Sequence, residues 1–208
     1  MASPSTLMQA RRLITSSNLP LPGDRASEPG AEPGVDVTVD VLKSQPILGG
    51  TLMRSRVATN KKLPTNNDGF GSIPLDDVPG VGIVLPGGLN MYYLDVAPNT
   101  EGTMHRTTST DYLVILEGTL SLITPPPEPY TVDGGKPTYG ELVETLCQSG
   151  EVVLQRGMMH ALSNRTDRWV RLLAIVLASE PNRVPIQPRR PDVQEEEDVR
   201  ILDDAWLA

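Results

Sequence analysis

Cysteine and histidine are almost missing from this chain: among 208 residues there is one Cys and there are two His. A single thiol, Cys147, cannot close an intrachain disulfide, which removes the disulfide-stapled secreted class. No uninterrupted apolar stretch near the N-terminus has the length of a signal peptide or a membrane span, so a cytoplasmic protein is expected. Basic charge is also short. The net charge of −8 and pI near 4.8 argue against nucleic acid and against an anionic membrane surface as partners. Much of the negative charge lies at the end of the chain, in Glu195, Glu196, Glu197, Asp198, Asp203 and Asp204, so the central region is nearer neutrality.

What the chain has in quantity is turn-forming residues, 18 Gly and 20 Pro, between short apolar runs. That pattern reads as many strands joined by turns, an all-β protein with one core rather than a helix bundle. Residues 1–34 are expected to be a flexible N-terminal arm, with a short helix at 7–15 followed by a Pro/Gly/Ser/Glu-rich stretch. A barrel domain is expected over 35–182 and an acidic extension over 183–208, whose last residues, 199–207, fit a turn or two of amphipathic helix. Within the domain, 35–41 alternates with period two, and strands are predicted at 82–85, 90–96, 111–116, 119–124, 144–148, 151–155 and 170–177. Residues 51–67 read as a polar loop, and 124–143 as an insertion at the barrel mouth or edge. The sequon Asn164-Arg165-Thr166 is discounted as a chance match.

The chemistry concentrates in two segments. In an extended strand His105, Thr107 and Asp111 share parity and project to one face. Downstream, Gly150 to Asn164 brings His160 after a strand and a glycine turn.

Together these segments resemble the paired motifs of the cupin superfamily. The first runs Pro98-Asn99, five residues, His105, one residue, Thr107, three residues, Asp111, six residues, Gly118, and reproduces every interval of the family pattern. Asn99 stands where the family has Gly, Asp111 where it has Glu, and Thr107 where it has a second His. The second motif matches at Gly150, Gly157, His160 and Asn164, one residue short and without its proline. The resemblance implies a double-stranded β-helix, a jelly-roll barrel, and its details are similar to small cupins of fungal secondary-metabolite clusters. It also implies candidate metal ligands, His105, Asp111 and His160, which as two imidazoles and a carboxylate suit Fe, Mn or Zn. A metal-free alternative has His105 and His160, with Asp111, moving protons.

Thr107, Met104, Met159 and Arg156 are candidate substrate contacts: a hydroxyl, two adaptable thioethers and a guanidinium able to hold a carboxylate. The expected function is a lyase-type enzyme that dehydrates, decarboxylates or cyclises a small carbonyl acid or polyketide-like metabolite, with or without a divalent metal. The alternatives are a non-catalytic binding or structural module and an Fe(II)-dependent dioxygenase. A homodimer is expected, through barrel faces or the N-terminal strand.

Overall fold

The computed structural model describes residues 12–69, 71, 74–186 and 199–207. Its strands are, in chain order, β1 (Arg12–Asn18), β2 (Val35–Val41), β3 (Ser44–Ile47), β4 (Leu52–Asn60), β5 (Leu89–Val96), β6 (His105–Arg106), β7 (Ser109–Glu117) and β8 (Thr119–Thr124). There follow β9 (Val132–Asp133), β10 (Lys136–Pro137), β11 (Val143–Gln148), β12 (Val152–Arg156), β13 (Ala161–Ser163), β14 (Val170–Ala178), β15 (Asn182–Pro185), β16 (Val199–Leu202) and β17 (Ala205–Trp206).

Two antiparallel sheets form the jelly-roll barrel: a six-stranded sheet in the order β12-β7-β14-β5-β4-β3 and a three-stranded one in the order β11-β8-β13. The chain crosses from one sheet to the other at tight turns, where Gly118 (φ 85°) and Gly150 (φ 92°) take backbone conformations that cost a side-chain-bearing residue strain. Alternation along each strand puts Val96, Leu113, Ile115, Leu120, Leu172 and Val176 into one aliphatic core between the sheets. A second cluster, Met104, Ile123, Met159, Ala161 and Leu207, packs below the barrel mouth.

Most predicted strands stand, and the differences are instructive. Residues 51–67 are not all loop, because Leu52–Asn60 forms the nine-residue strand β4. Its polar character has a use: the Arg54 guanidinium donates 2.7 Å to the Gly82 carbonyl, and Arg56 donates to the Asp76 carbonyl. Those bonds hold residues 76–82 as a loop over the sheet, and Asn90 Nδ2 donates 2.8 Å to the Ile83 carbonyl. The predicted strand at 82–85 is therefore loop. Arg12–Asn18 is strand, paired with β2 from Arg12↔Val41 to Asn18↔Val35, where a helix over 7–15 was expected; residues 7–11 lie outside the described residues. The chain end is also strand where helix was expected: β16 pairs with β15, and β17 pairs with β6. Residues 187–198 of the acidic extension lie outside the described residues. No described helix is long and apolar enough to cross a membrane.

Candidate active site

The two histidines meet because the barrel closes there. His105 on β6 and His160, immediately before β13, form an isolated antiparallel bridge: each backbone N–H donates 2.8 Å to the other's carbonyl. Their rings lie 4.4 Å apart between centroids, tilted by 52°. The other face of His105 is covered by Trp206, stacked at 4.4 Å and 8°.

That stacking is a product of the chain end. The Leu207 N–H donates 2.9 Å to the Met104 carbonyl, and Arg106 Nε donates 2.8 Å to the Asp203 carbonyl. Asp204 accepts from the backbone N–H and the hydroxyl of Thr108. The terminal segment is thus strapped across the barrel mouth with its indole against the imidazole.

Both imidazoles are oriented by main-chain carbonyls. His105 Nδ1 lies 2.8 Å from the Thr103 oxygen and His160 Nδ1 lies 2.9 Å from the Met158 oxygen. A carbonyl only accepts, so in each ring Nδ1 carries the proton and Nε2 is the basic nitrogen. Burial disfavours the charged form of both. It pushes His105 below the ordinary value, and it pushes His160 down to about 4, with the neighbouring His105 opposing a second positive charge. The indole face under His105 works the other way, since a π-face steadies a cation.

The histidines open onto a cavity of about 400 Å³ inside the barrel. Leu94, Leu113, Leu172 and Ala174 form its apolar wall, while Tyr92, Arg54, Asp111 and Gln155 supply polar groups. Asp111 is buried on β7, and loss of hydration raises its pKa to about 6, against a smaller opposing effect of the Ser109 hydroxyl. A shallower cleft of about 550 Å³ adjoins the cavity and shares Trp206, Val81 and Ile83 with it as a dividing wall.

Of the residues singled out in the sequence, His105, His160 and Asp111 are brought to one cavity. As metal ligands they do not converge: among the described residues, no group of three or more His, Cys, Asp and Glu side chains is placed to hold an ion. Asp111 pairs across the sheet with Gln155, while the histidines pair with each other. Two imidazoles alone do not make up the three-ligand set that the resemblance implies.

Thr107 is buried with its hydroxyl 2.9 Å from that of Ser109, and it lines the adjoining cleft rather than the cavity. Met104 and Met159 pack with Leu207 in the second core cluster. Arg156 is exposed on the outer side of β12, opposite in parity to Gln155, and its side chain lies outside the cavity lining. Conversely, Arg54, Tyr92, Gln155 and Trp206 line the cavity without having been singled out. Gln155 was within reach of a parity argument, since it shares the β12 face that meets Asp111. Trp206 was not, because only a strand at the chain end brings it to His105.

Comparison with known proteins gives the following. No family model matches the chain. It is similar to the Phomopsin biosynthesis cluster protein D of Diaporthe leptostromiformis, 35% identical over 101 residues, which are 48% of this chain and 46% of that protein. It is also similar to the Oryzines biosynthesis cluster protein J of Aspergillus oryzae, 32% identical over 47% of each chain. The chain thus spans about half the length of the curated relatives it matches. Among solved structures it resembles the polyketide cyclase RemF from Streptomyces resistomycificus, with 16% identity, a TM-score of 0.41 and coverage of 75% of this chain and 83% of that one.

Proposed function

We propose that this barrel, which has the cupin double-stranded β-helix fold, is a metabolite-processing enzyme in which His105 and His160 act as one proton relay on a small carbonyl-bearing molecule. The observation that carries the reading is the histidine pair itself, with reciprocal main-chain bonds, Nδ1–H on carbonyls and both rings lining an internal cavity. Like charges at a ring separation of 4.4 Å repel, so taking up a proton on one Nε2 disfavours a second positive charge on the other ring. In a dehydration, a basic Nε2 takes a proton from the carbon beside the substrate carbonyl, and the imidazolium returns it to the departing hydroxyl, which leaves as water. In a ring closure the same proton goes to the attacked carbonyl oxygen. Asp111, with its carboxyl raised to about 6, is a further proton store in the same cavity.

The similarity to biosynthesis-cluster proteins supports a substrate from secondary metabolism. The same reading includes a homodimer. It is supported by the β1–β2 ribbon, which turns Ile14, Val35, Val37, Val39 and Val41 outward, each about half exposed or more. An isolated two-stranded ribbon with an apolar outer face is marginal in water, so a second copy is the simplest cover.

The test replaces the chain by the His105→Ala/His160→Ala variant in a producing strain and profiles its metabolites. An enzyme gives one missing product and one accumulated precursor. An unchanged profile, with the variant folded, sinks the enzymatic reading in favour of a binding module.

A further inference from the structure

The part of the cavity wall formed by β7 and β12 carries polar atoms that have no partner in the protein. Gln155 is 2% exposed and Asp111 is 6% exposed, and both line the cavity. They are direct cross-strand partners on β12 and β7, so their side chains start side by side on the same inward face. Their flanking residues on these strands, Leu154 at 53% and Tyr112 at 41% exposure, point to the outside. Neither Nε2 nor Oε1 of Gln155 has a hydrogen-bond partner, and Oδ1 of Asp111 has none either. Buried amides and carboxyls are costly to leave unpaired, by roughly 1–3 kcal/mol per group, and folded proteins satisfy nearly all of them. A side chain held inward with both ends of its amide unpaired, beside a second unpaired oxygen, is unexplained by packing.

We propose that Gln155 and Asp111 form a recognition site for an amide group of the substrate, which is thereby a lactam or carboxamide with an apolar body. The match is one of pattern. The Gln155 Nε2 donates to the ligand carbonyl, its Oε1 accepts from the ligand N–H, and Asp111 Oδ1 accepts from a second N–H where the ligand has one. A carboxylate lacks the donor that this acceptor-rich wall requires, and a ketone lacks it too. Around the polar pair, Leu113, Leu172 and Tyr92 provide the surface for the apolar body. The proposal rests on the reading of the cavity as a small-molecule site, and it adds which functional group orients the ligand toward the histidines.

The test uses three bicyclic probes of nearly one shape with the full chain: isoindolin-1-one, its N-methyl derivative and 1-indanone. Binding is measured by protein-observed NMR, following the Gln155 side-chain amide. The expected result is that isoindolin-1-one binds at least about tenfold more tightly than the other two, the discrimination of one buried hydrogen bond left unmade. It also shifts the Gln155 amide signals, and Gln155→Met levels the three affinities. Equal affinities in the wild-type chain overturn amide recognition while leaving the cavity as a binding site, and that comparison needs no variant. Failure of all three probes to perturb any cavity resonance also overturns it. The enzymatic reading is then judged separately, by the metabolite profile of the histidine variant.

Discussion

Two sets of polar groups are buried in this barrel, and they are treated in opposite ways. At the closed end, Arg171 and Asp95 face each other on β14 and β5 in a two-pronged pair, 2.5 Å at each contact, with side chains only 2% and 3% exposed. Nearby, Asn164, which is fully buried, donates to the carbonyls of Val96, Ala97 and Arg168 and accepts from Thr166. Around the cavity, Asp111 and Gln155 are as deeply buried but keep unpaired atoms. Polar burial that is fully satisfied specifies the fold, whereas polar burial left open is kept at a cost and points to a ligand.

The largest expected effect tests the first half of that contrast. Asp95→Ala removes the carboxylate that Arg171 grips with two nitrogens, and urea denaturation should show a loss of roughly 3–5 kcal/mol. A loss below about 1 kcal/mol would mean that the closed end is not held by the pair. Next in size is a pH effect on the cavity. For His160 the folded-state pKa is depressed to about 4, so its stabilising neutrality is complete above the ordinary value of 6.5 and is lost as pH falls from there toward 4. For Asp111 the folded-state pKa is raised from 3.8 to about 6, so its contribution is complete below 3.8 and is lost as pH rises through 6. The two slopes oppose each other in this window. On acidification from pH 6 to 4 the Asp111→Asn variant should lose more stability than the wild-type chain, by on the order of 3 kcal/mol, because the histidines' loss is then no longer offset by Asp111.

A smaller effect, of opposite sign, separates the two regions most sharply. Gln155→Met removes unpaired polar atoms with little change of volume and should raise stability by about 1 kcal/mol; a loss of that size would show that Gln155 is satisfied in solution. The smallest effect concerns the lid. With Trp169→Phe, Trp206 is the only indole, and its emission should fall as the stacked His105 becomes protonated below its lowered pKa. Emission that does not change with pH would show that Trp206 does not rest on His105.

The barrel was legible in the sequence because short β-favouring apolar runs between turn residues mark β5, β7, β8, β11, β12 and β14, and the spacing of both motifs fixes where the chain turns. Asn99 illustrates this: it stands in the glycine position of the first motif and takes φ 51°, a conformation open to Asn. Meeting of the two histidines was legible for the same reason. What escaped was set by long-range contacts. β4 looked like a loop because its arginines serve carbonyls 20 and 28 residues away. Residues 35–41 show the alternation of a strand, but not that the valines face outward. Met104 and Met159 flank the histidines in sequence, yet strand parity turns them into the core.

The most direct test is a pH titration of the two imidazoles by long-range proton–nitrogen NMR, which is unambiguous because the chain has only His105 and His160. The account predicts two neutral Nδ1–H tautomers at pH 7, with His160 titrating near 4 and His105 below its ordinary value. Independent titration of both rings at the ordinary value, or Nε2–H tautomers, would contradict it.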